Sequence, residues 1–226
     1  GSRDPYALRR YSIALVRLII ENKIRIKLRS IINYSLSLYK EQGFEFDITK
    51  VLKELNKFIL DRLKNYSKEK NIRLDIIESF ILSNDIDDLY TGYKKAEILN
   101  RNIKKEIGKD VIGIYKRSSN ILNNEILKNK LELSNSVDIG LFKNDFEKNL
   151  YKKIEGIKKY FIEVGKNENF EDSLKELFKC KQDVNSFFEN VKVNDENELI
   201  KKNRLELLNL LCKNFDNFFN FSKIEG

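Results

Sequence analysis

Proline occurs once in this chain of 226 residues, at position 5. A proline inside a helix removes an amide donor and drives its ring into the preceding turn. A sequence that meets this obstacle only at its start can run helix after helix to its end. Asp4-Pro5 reads as an N-cap followed by proline at the first helical position. Leu8, Tyr11, Leu15 and Ile19 then recur at helical spacing to about Asn22. A second helix runs through Leu28, Ile31, Ile32, Leu36 and Tyr39, with Gly43 placed to end it. Asp47 caps a third, striped by Val51, Leu52, Leu55, Phe58, Ile59, Leu63 and Tyr66. A short helix spans Leu74 to Leu82, and Asp85 is placed to cap the next, through Leu89, Tyr93 and Ala96.

The pattern Ile107, Val111, Ile114, Ser118, Ile121 gives another helix, and "NNEILKNKLELSNSVDIG" reads as a polar connector after it. Two segments follow, "NDFEKNLYKKIEGIKKYFIEV", ended by Gly165, and "FEDSLKELFKCKQDVNSFFENV", which divides near Cys180. The last helix follows a cap at Asn194 and sets Leu208, Leu211, Cys212, Phe215, Phe218 and Phe219 on one broad apolar face. No alternating strand pattern of useful length interrupts the series. The expectation is an all-α fold, a multi-helix bundle of about eight to ten helices.

Composition narrows the chemistry. Histidine is absent, which removes imidazole acid–base catalysis, Ser-His and Cys-His nucleophiles and His-based metal sites. Cys180 and Cys212 are too few for a disulfide framework and fit a reducing cytoplasm. Without C-x-x-C spacing they read as small buried hydrophobes, and no metal site is expected. The nine glycines never come closer than five residues, so there is no Gly-rich phosphate loop. The apolar run Tyr11 to Val16 is broken by Arg17, and nothing approaches the ~18 uncharged residues of a membrane span. Methionine is absent too, so the chain reads as an excerpt of a longer protein. Gly1-Ser2 reads as a cloning scar, leaving 3–226 as one helical region.

The net charge is +8, unevenly spread. Gly1 to Arg117 hold 25 basic and 16 acidic side chains, and Ser118 to Gly226 hold 18 and 19. Such a surplus points to a polyanionic partner. An AT-rich genome explains abundant lysine equally well, but not the arginines at positions 9, 10, 17, 25 and 29.

Three segments, in order and at their spacing, carry a resemblance: "DPYALRR", "KRSSNIL" and "FFENVKVNDENELIKKNRLELLNLL". Together they resemble the C-terminal region of the β subunit of bacterial two-subunit glycyl-tRNA synthetase, a DALR-like anticodon-binding helical domain, over essentially the whole chain from Asp4. Departures from the family pattern fall at Tyr6, Ser118, Asn217 and Asn220. The resemblance implies a cytoplasmic α/β heterotetramer that joins glycine to glycine tRNA with ATP. It implies that this region binds tRNA and performs no catalysis itself, so no catalytic residue is named. ATP and Mg would be used through the α subunit, with none held by this region. The implied partners are glycine tRNA, the α subunit and the preceding part of the β subunit, with no membrane.

Glycine anticodons end in two cytosines, whose edges offer an amine donor beside ring and carbonyl acceptors. A cytosine reader needs a carboxylate or carbonyl next to an Arg, Asn or Lys donor, on bases splayed from a single-stranded loop. "IKKNRLEL" groups Lys201, Asn203, Arg204 and Glu206, and "YKRSSNIL" groups Tyr115, Lys116, Arg117 and Asn120. These eight are candidate tRNA contacts. Their alternative is salt bridging within the bundle, with solvated neighbours. Arg25 and Arg29, an i,i+4 pair, are candidate phosphate contacts, because a forked guanidinium binds phosphate in a way Lys cannot reproduce. Arg9 and Arg10 are assigned to docking or internal pairing instead. Phe187-Phe188 and Phe218-Phe219 read as core, and Asp85, Asp87 and Asp88 as a helix N-terminus complementing the dipole. A reading of another class is a basic helical protein-interaction or membrane-surface module without an RNA ligand.

Overall fold

The structure is a computed structural model that describes residues 4, 6–82, 87–129, 131–164 and 169–225. Among these residues there are ten α-helices, one short 3-10 turn and no strand. The chain divides into two compact units, Gly1–Asn100 and Arg101–Gly226, where the sequence was read as one region.

Unit 1 begins with α1 (Leu8–Glu21), α2 (Leu28–Glu41) and α3 (Ile48–Glu69), followed by α4 (Leu74–Leu82) and α5 (Leu89–Asn102). The long α3 is its spine, packed by α1, α2 and α4. Val16, Ile19, Leu63, Ile76, Ile77 and Leu99 form the buried centre. The first three helices end alike. Gly43 takes the left-handed conformation after α2, as its placement predicted, and Lys23 and Asn71 take it after α1 and α3. In each case the next amide reaches back five residues, Ile24 to Ile19, Phe44 to Tyr39 and Ile72 to Ser67. These bonds satisfy carbonyls that a helix end leaves without partners.

Asp47 caps α3 by accepting from the Lys50 amide at 3.1 Å. Pro5 and Asp85 lie outside the described residues. α1 begins at Leu8 after a left-handed Ala7, so the cap expected at Asp4 is displaced by three residues, although Asp4 accepts from the Arg9 amide at 3.2 Å. Of the two acidic residues read with Asp85 as a helix N-terminus, Asp88 accepts from Thr91 at the start of α5 and Asp87 accepts from the Arg29 amide at the start of α2. Gly92 lets α5 approach α4, since a Cβ there would fall 1.8 Å from the Phe80 ring.

Unit 2 contains α6 (Glu106–Asn129), the 3-10 turn Ile139–Leu141, α7 (Asp145–Val164), α8 (Phe170–Phe178), α9 (Lys181–Asn190) and α10 (Glu198–Phe218). α10 is the axis, packed by α6, α7 and α8, while α9 lies on α7. The expected break near Cys180 is present. Gly165 lies outside the described residues. Two boundaries differ from the sequence reading. α6 continues to Asn129, through the first part of the supposed connector, because Leu122 and Glu125 are buried on the face toward α10. α10 is capped by Asn197, which accepts from Leu199 and Ile200, while Asn194 donates to Glu125. The sequence face from Leu208 to Phe219 is buried as expected, and Phe221 joins Phe215 and Phe218 in an aromatic cluster around Tyr115.

Candidate nucleic-acid interface

Among the lysines and arginines of α10, position on the central helix decides what the charge does. Asn203 through Leu208 are all buried. A charge on such a helix must be partnered, because removing it from water costs several kcal/mol. Arg204 is 5 % exposed and fully engaged. Its Nε donates to Glu147 at 2.6 Å, and its terminal nitrogen donates to the Lys192 carbonyl at 2.8 Å and to Asp195 at 2.7 Å. Glu147 in turn accepts from the amides of Lys143 and Asn144, while Asn144 accepts from the Glu147 amide, a reciprocal cap at the start of α7. Hydrogen bonding from Asn197, with Arg204 beside it, holds the Asp195 carboxyl below its usual range.

Glu206, 2 % exposed, accepts from the Ser134 amide and hydroxyl at 2.5 and 2.8 Å and from the Asn135 amide at 2.9 Å. Asn203 brackets Asp138, accepting from its amide and donating to its carbonyl at 2.8 and 2.9 Å. Lys201 pairs with Glu125 at 2.9 Å and depresses that carboxyl. These four groups were expected to read bases. The structure places them as in the alternative reading, pairing within the bundle: they tie α6, α7 and the 131–138 segment to α10.

The "YKRSSNIL" group is arranged differently. Tyr115 is buried against Phe215 and Phe221 and donates to Asp216. Asp216 is exposed as a residue, but desolvation of its carboxyl beside Tyr115 pushes it up to about 6, against that hydrogen bond and the nearby Lys213 charge. Lys116 is half-buried, and Arg117 and Asn120 are exposed. Arg117 lies over Phe188, 4.1 Å from the ring centre, and Phe188 is half-buried rather than core.

Between α6 and α10 lies a cavity of about 480 Å³, lined among others by Tyr115, Lys116, Asn120, Asn123, Asn209 and Ser222. Three of the predicted contacts meet here. Sequence reasoning missed Asn123 and Asn209. The signal available was spacing, since Lys116, Asn120 and Asn123 follow each other at i, i+4 and i+7 on one helix face. Asn209 donates to the Asn135 side chain, which Lys213 also contacts. Three side-chain amides and one ammonium thus bound the cavity, able to donate and to accept.

In unit 1, the exposed Arg25, a candidate phosphate contact, pairs through its Nε with Asp88 at 2.6 Å, beside the start of α5. Arg29 is exposed, its guanidinium at the edge of a second cleft. Arg10 faces Asp4 at 3.8 Å and Arg17 pairs with Glu69 at 2.9 Å.

Among the described residues no helix is long and apolar enough to cross a membrane, and no three His, Cys, Asp or Glu side chains are grouped to hold a metal ion. Cys180 and Cys212 are both buried, their thiols pushed up to about 12 chiefly by burial.

Residues 111–225 match the family described as the DALR anticodon binding domain, and residues 1–82 match that of the glycyl-tRNA synthetase beta subunit. Glycine–tRNA ligase beta subunits of Rickettsia typhi and Rickettsia prowazekii are each 33% identical to this chain over 224 residues, 99% of its length and 31% of theirs. That of Rickettsia canadensis is also 33% identical, the match covering 32% of the relative. The chain therefore spans about a third of the length of these curated relatives.

Proposed function

Because the chain belongs to the DALR anticodon binding domain family, in the form found in glycyl-tRNA synthetase beta subunits, we propose that it holds the anticodon arm of glycine tRNA and reads its cytosines. The observation that carries this reading is the amide-lined cavity between α6 and α10, which lies within the residues matching the anticodon-binding family. Its volume falls in the ~300–1,000 Å³ range of small-molecule sites. A cytosine drawn from the loop would present its amine to an amide oxygen and its acceptors to an amide nitrogen or the Lys116 ammonium. Asn120 and Asn123 can play either part, since an amide carries both functions. Arg117, stacked and open on its outer face, supplies a flat cation on which a neighbouring base can stack.

In this reading the chain binds and positions, and the bond between glycine and tRNA is made elsewhere in the complete α/β enzyme of the cytoplasm. ATP and magnesium would serve the α subunit. Glycine tRNA, the α subunit and the rest of the β subunit are the proposed partners.

The test is competition between glycine tRNA and transcripts with either anticodon cytosine replaced. Wild-type chain should prefer the cytosines, and Asn120→Ala with Asn123→Ala should flatten that preference. Equal affinity for all transcripts would reduce the domain to a nonspecific clamp. The chain alone should show no ATP–pyrophosphate exchange.

A further inference from the structure

The second cleft lies in unit 1, along α3, with a volume of about 620 Å³. Arg29 from α2 and Lys53, Lys57 and Lys64 from α3 border it, over an apolar floor that includes Leu52 and Leu60. The spacing of these lysines is helical, Lys53 and Lys57 standing one turn or ~6 Å apart along the axis. Lys64 is engaged by Glu78 at 3.1 Å. The other three cations are exposed, and no carboxylate among the described residues pairs with the Arg29 guanidinium or with the Lys53 and Lys57 ammonium groups. Asp61 shares the cleft without pairing with them.

Several arginines elsewhere are neutralised, Arg17 on Glu69, Arg25 on Asp88, Arg73 on Asp75 and Arg204 on Glu147, while Arg62 and Arg117 lie over the Phe58 and Phe188 rings. Arg29 stands four residues beyond Arg25, and Asp87 is near enough to accept from its backbone amide, yet its side chain is left over the cleft. Concave, with four cations against the single carboxylate of Asp61 in its lining, this surface carries a net positive charge suited to a chain of anions.

We propose that the α2–α3 cleft binds the sugar–phosphate backbone of the RNA outside the anticodon loop, as a second, sequence-blind contact. The proposal rests on the tRNA-binding reading above. Arg29 would grip one phosphate with its fork, Lys53 and Lys57 would meet successive phosphates as point charges, and the apolar floor would lie under the sugars. Nothing in the cleft selects a base.

The test uses the full 226-residue chain carrying Arg29→Gln, Lys53→Gln and Lys57→Gln, with Lys53→Arg and Lys57→Arg as the charge-preserving variant. The probes are whole glycine tRNA and its isolated anticodon stem-loop, each titrated over a range of salt. For whole tRNA the neutralised variant should bind at least ~10-fold more weakly at low salt, and the slope of log affinity against log salt should shrink by roughly one per cation removed. The charge-preserving variant should keep both. Stem-loop affinity and cytosine preference should stay at wild-type level in every variant. An unchanged salt slope with cytosine preference intact overturns the cleft while leaving the anticodon reading in place. Equal losses for stem-loop and whole tRNA also overturn it, because the cleft would then serve the loop. Failure of the wild-type chain to bind either RNA removes the reading on which the cleft depends. Binding of an acidic helical peptide or anionic vesicles in place of tRNA would assign the cleft to another partner and overturn the proposal.

Discussion

On α1 and α2 of unit 1, Tyr11, Leu18, Tyr34 and Tyr39 face solvent, each more than half exposed. On α10 of unit 2, Asn203, Arg204, Glu206 and Asn214 are inside. The two regions reverse the usual sorting, for different reasons. α10 is surrounded by other helices, so its polar groups became fasteners: Asn203, Arg204 and Glu206 hold the loops and helices around it, and Asn214 donates to the Ile154 and Leu210 carbonyls. α1 packs chiefly on α3, leaving an exposed stripe from Leu8 through Tyr11, Leu15 and Leu18 among the described residues. Burial of a charge thus marks a place where the architecture is strictly determined. Exposure of apolar groups marks a place where the fold asks little of the side chain.

The most damaging way to probe this contrast is Arg204→Ala. It strands Glu147 at the start of α7 without its guanidinium, and should cost about 3–5 kcal/mol in urea unfolding. A loss below ~1 kcal/mol would mean that the buried charges of α10 are ornamental and the contrast false. Glu206→Ala comes next. The amides of Ser134 and Asn135 lose their acceptor, with an expected cost of about 2–3 kcal/mol and faster hydrogen exchange confined to 131–138. On the other side, Leu18→Ser should change stability by no more than ~0.5 kcal/mol, since the side chain is 55% exposed. A larger drop in melting temperature would show that this face is covered.

The smallest effect concerns Asp216. Its carboxyl titrates at about 6 in the folded chain against a reference of 3.8, so between those values the folded state holds the proton more firmly. Its contribution to stability is therefore present below that window and lost as pH rises through it. Asp216→Asn should flatten stability against pH between about 4 and 6, measured by thermal melts across that range. Glu125 and Asp195, whose carboxyls are depressed from 4.5 and 3.8, act in the opposite sense, their stabilisation being lost as pH falls below those values.

Much of the helical order was legible in the sequence, because its signals are local. Asp47, Gly43 and the apolar stripe of α3 fix their elements through neighbours within a few residues. The ends of α1 and α3 use the same closure, but Lys23 and Asn71 announce a left-handed turn less clearly than glycine does. The end of α6 was misplaced because Glu125 and Leu122 are held by α10, distant in sequence. The site was half legible for the same reason. Spacing placed Tyr115, Lys116 and Asn120 on one helix, but whether a side chain faces a cavity or a carboxylate depends on what packs opposite. In "NRLELL" the warning was the company that Arg204 and Glu206 keep, charges inside an apolar run on a helix expected to be central.

Both thiols of the molecule belong to unit 2, Cys180 between α8 and α9 and Cys212 beside the amide-lined cavity. With acidities near 12, almost none is thiolate at neutral pH, so alkylating reagents have nothing to attack while the helices stay closed. The chain therefore carries its own clock. The rate at which iodoacetamide is taken up measures how often unit 2 breathes, with unit 1 silent, and a ligand seated over Cys212 would slow that uptake without any dye or engineered label.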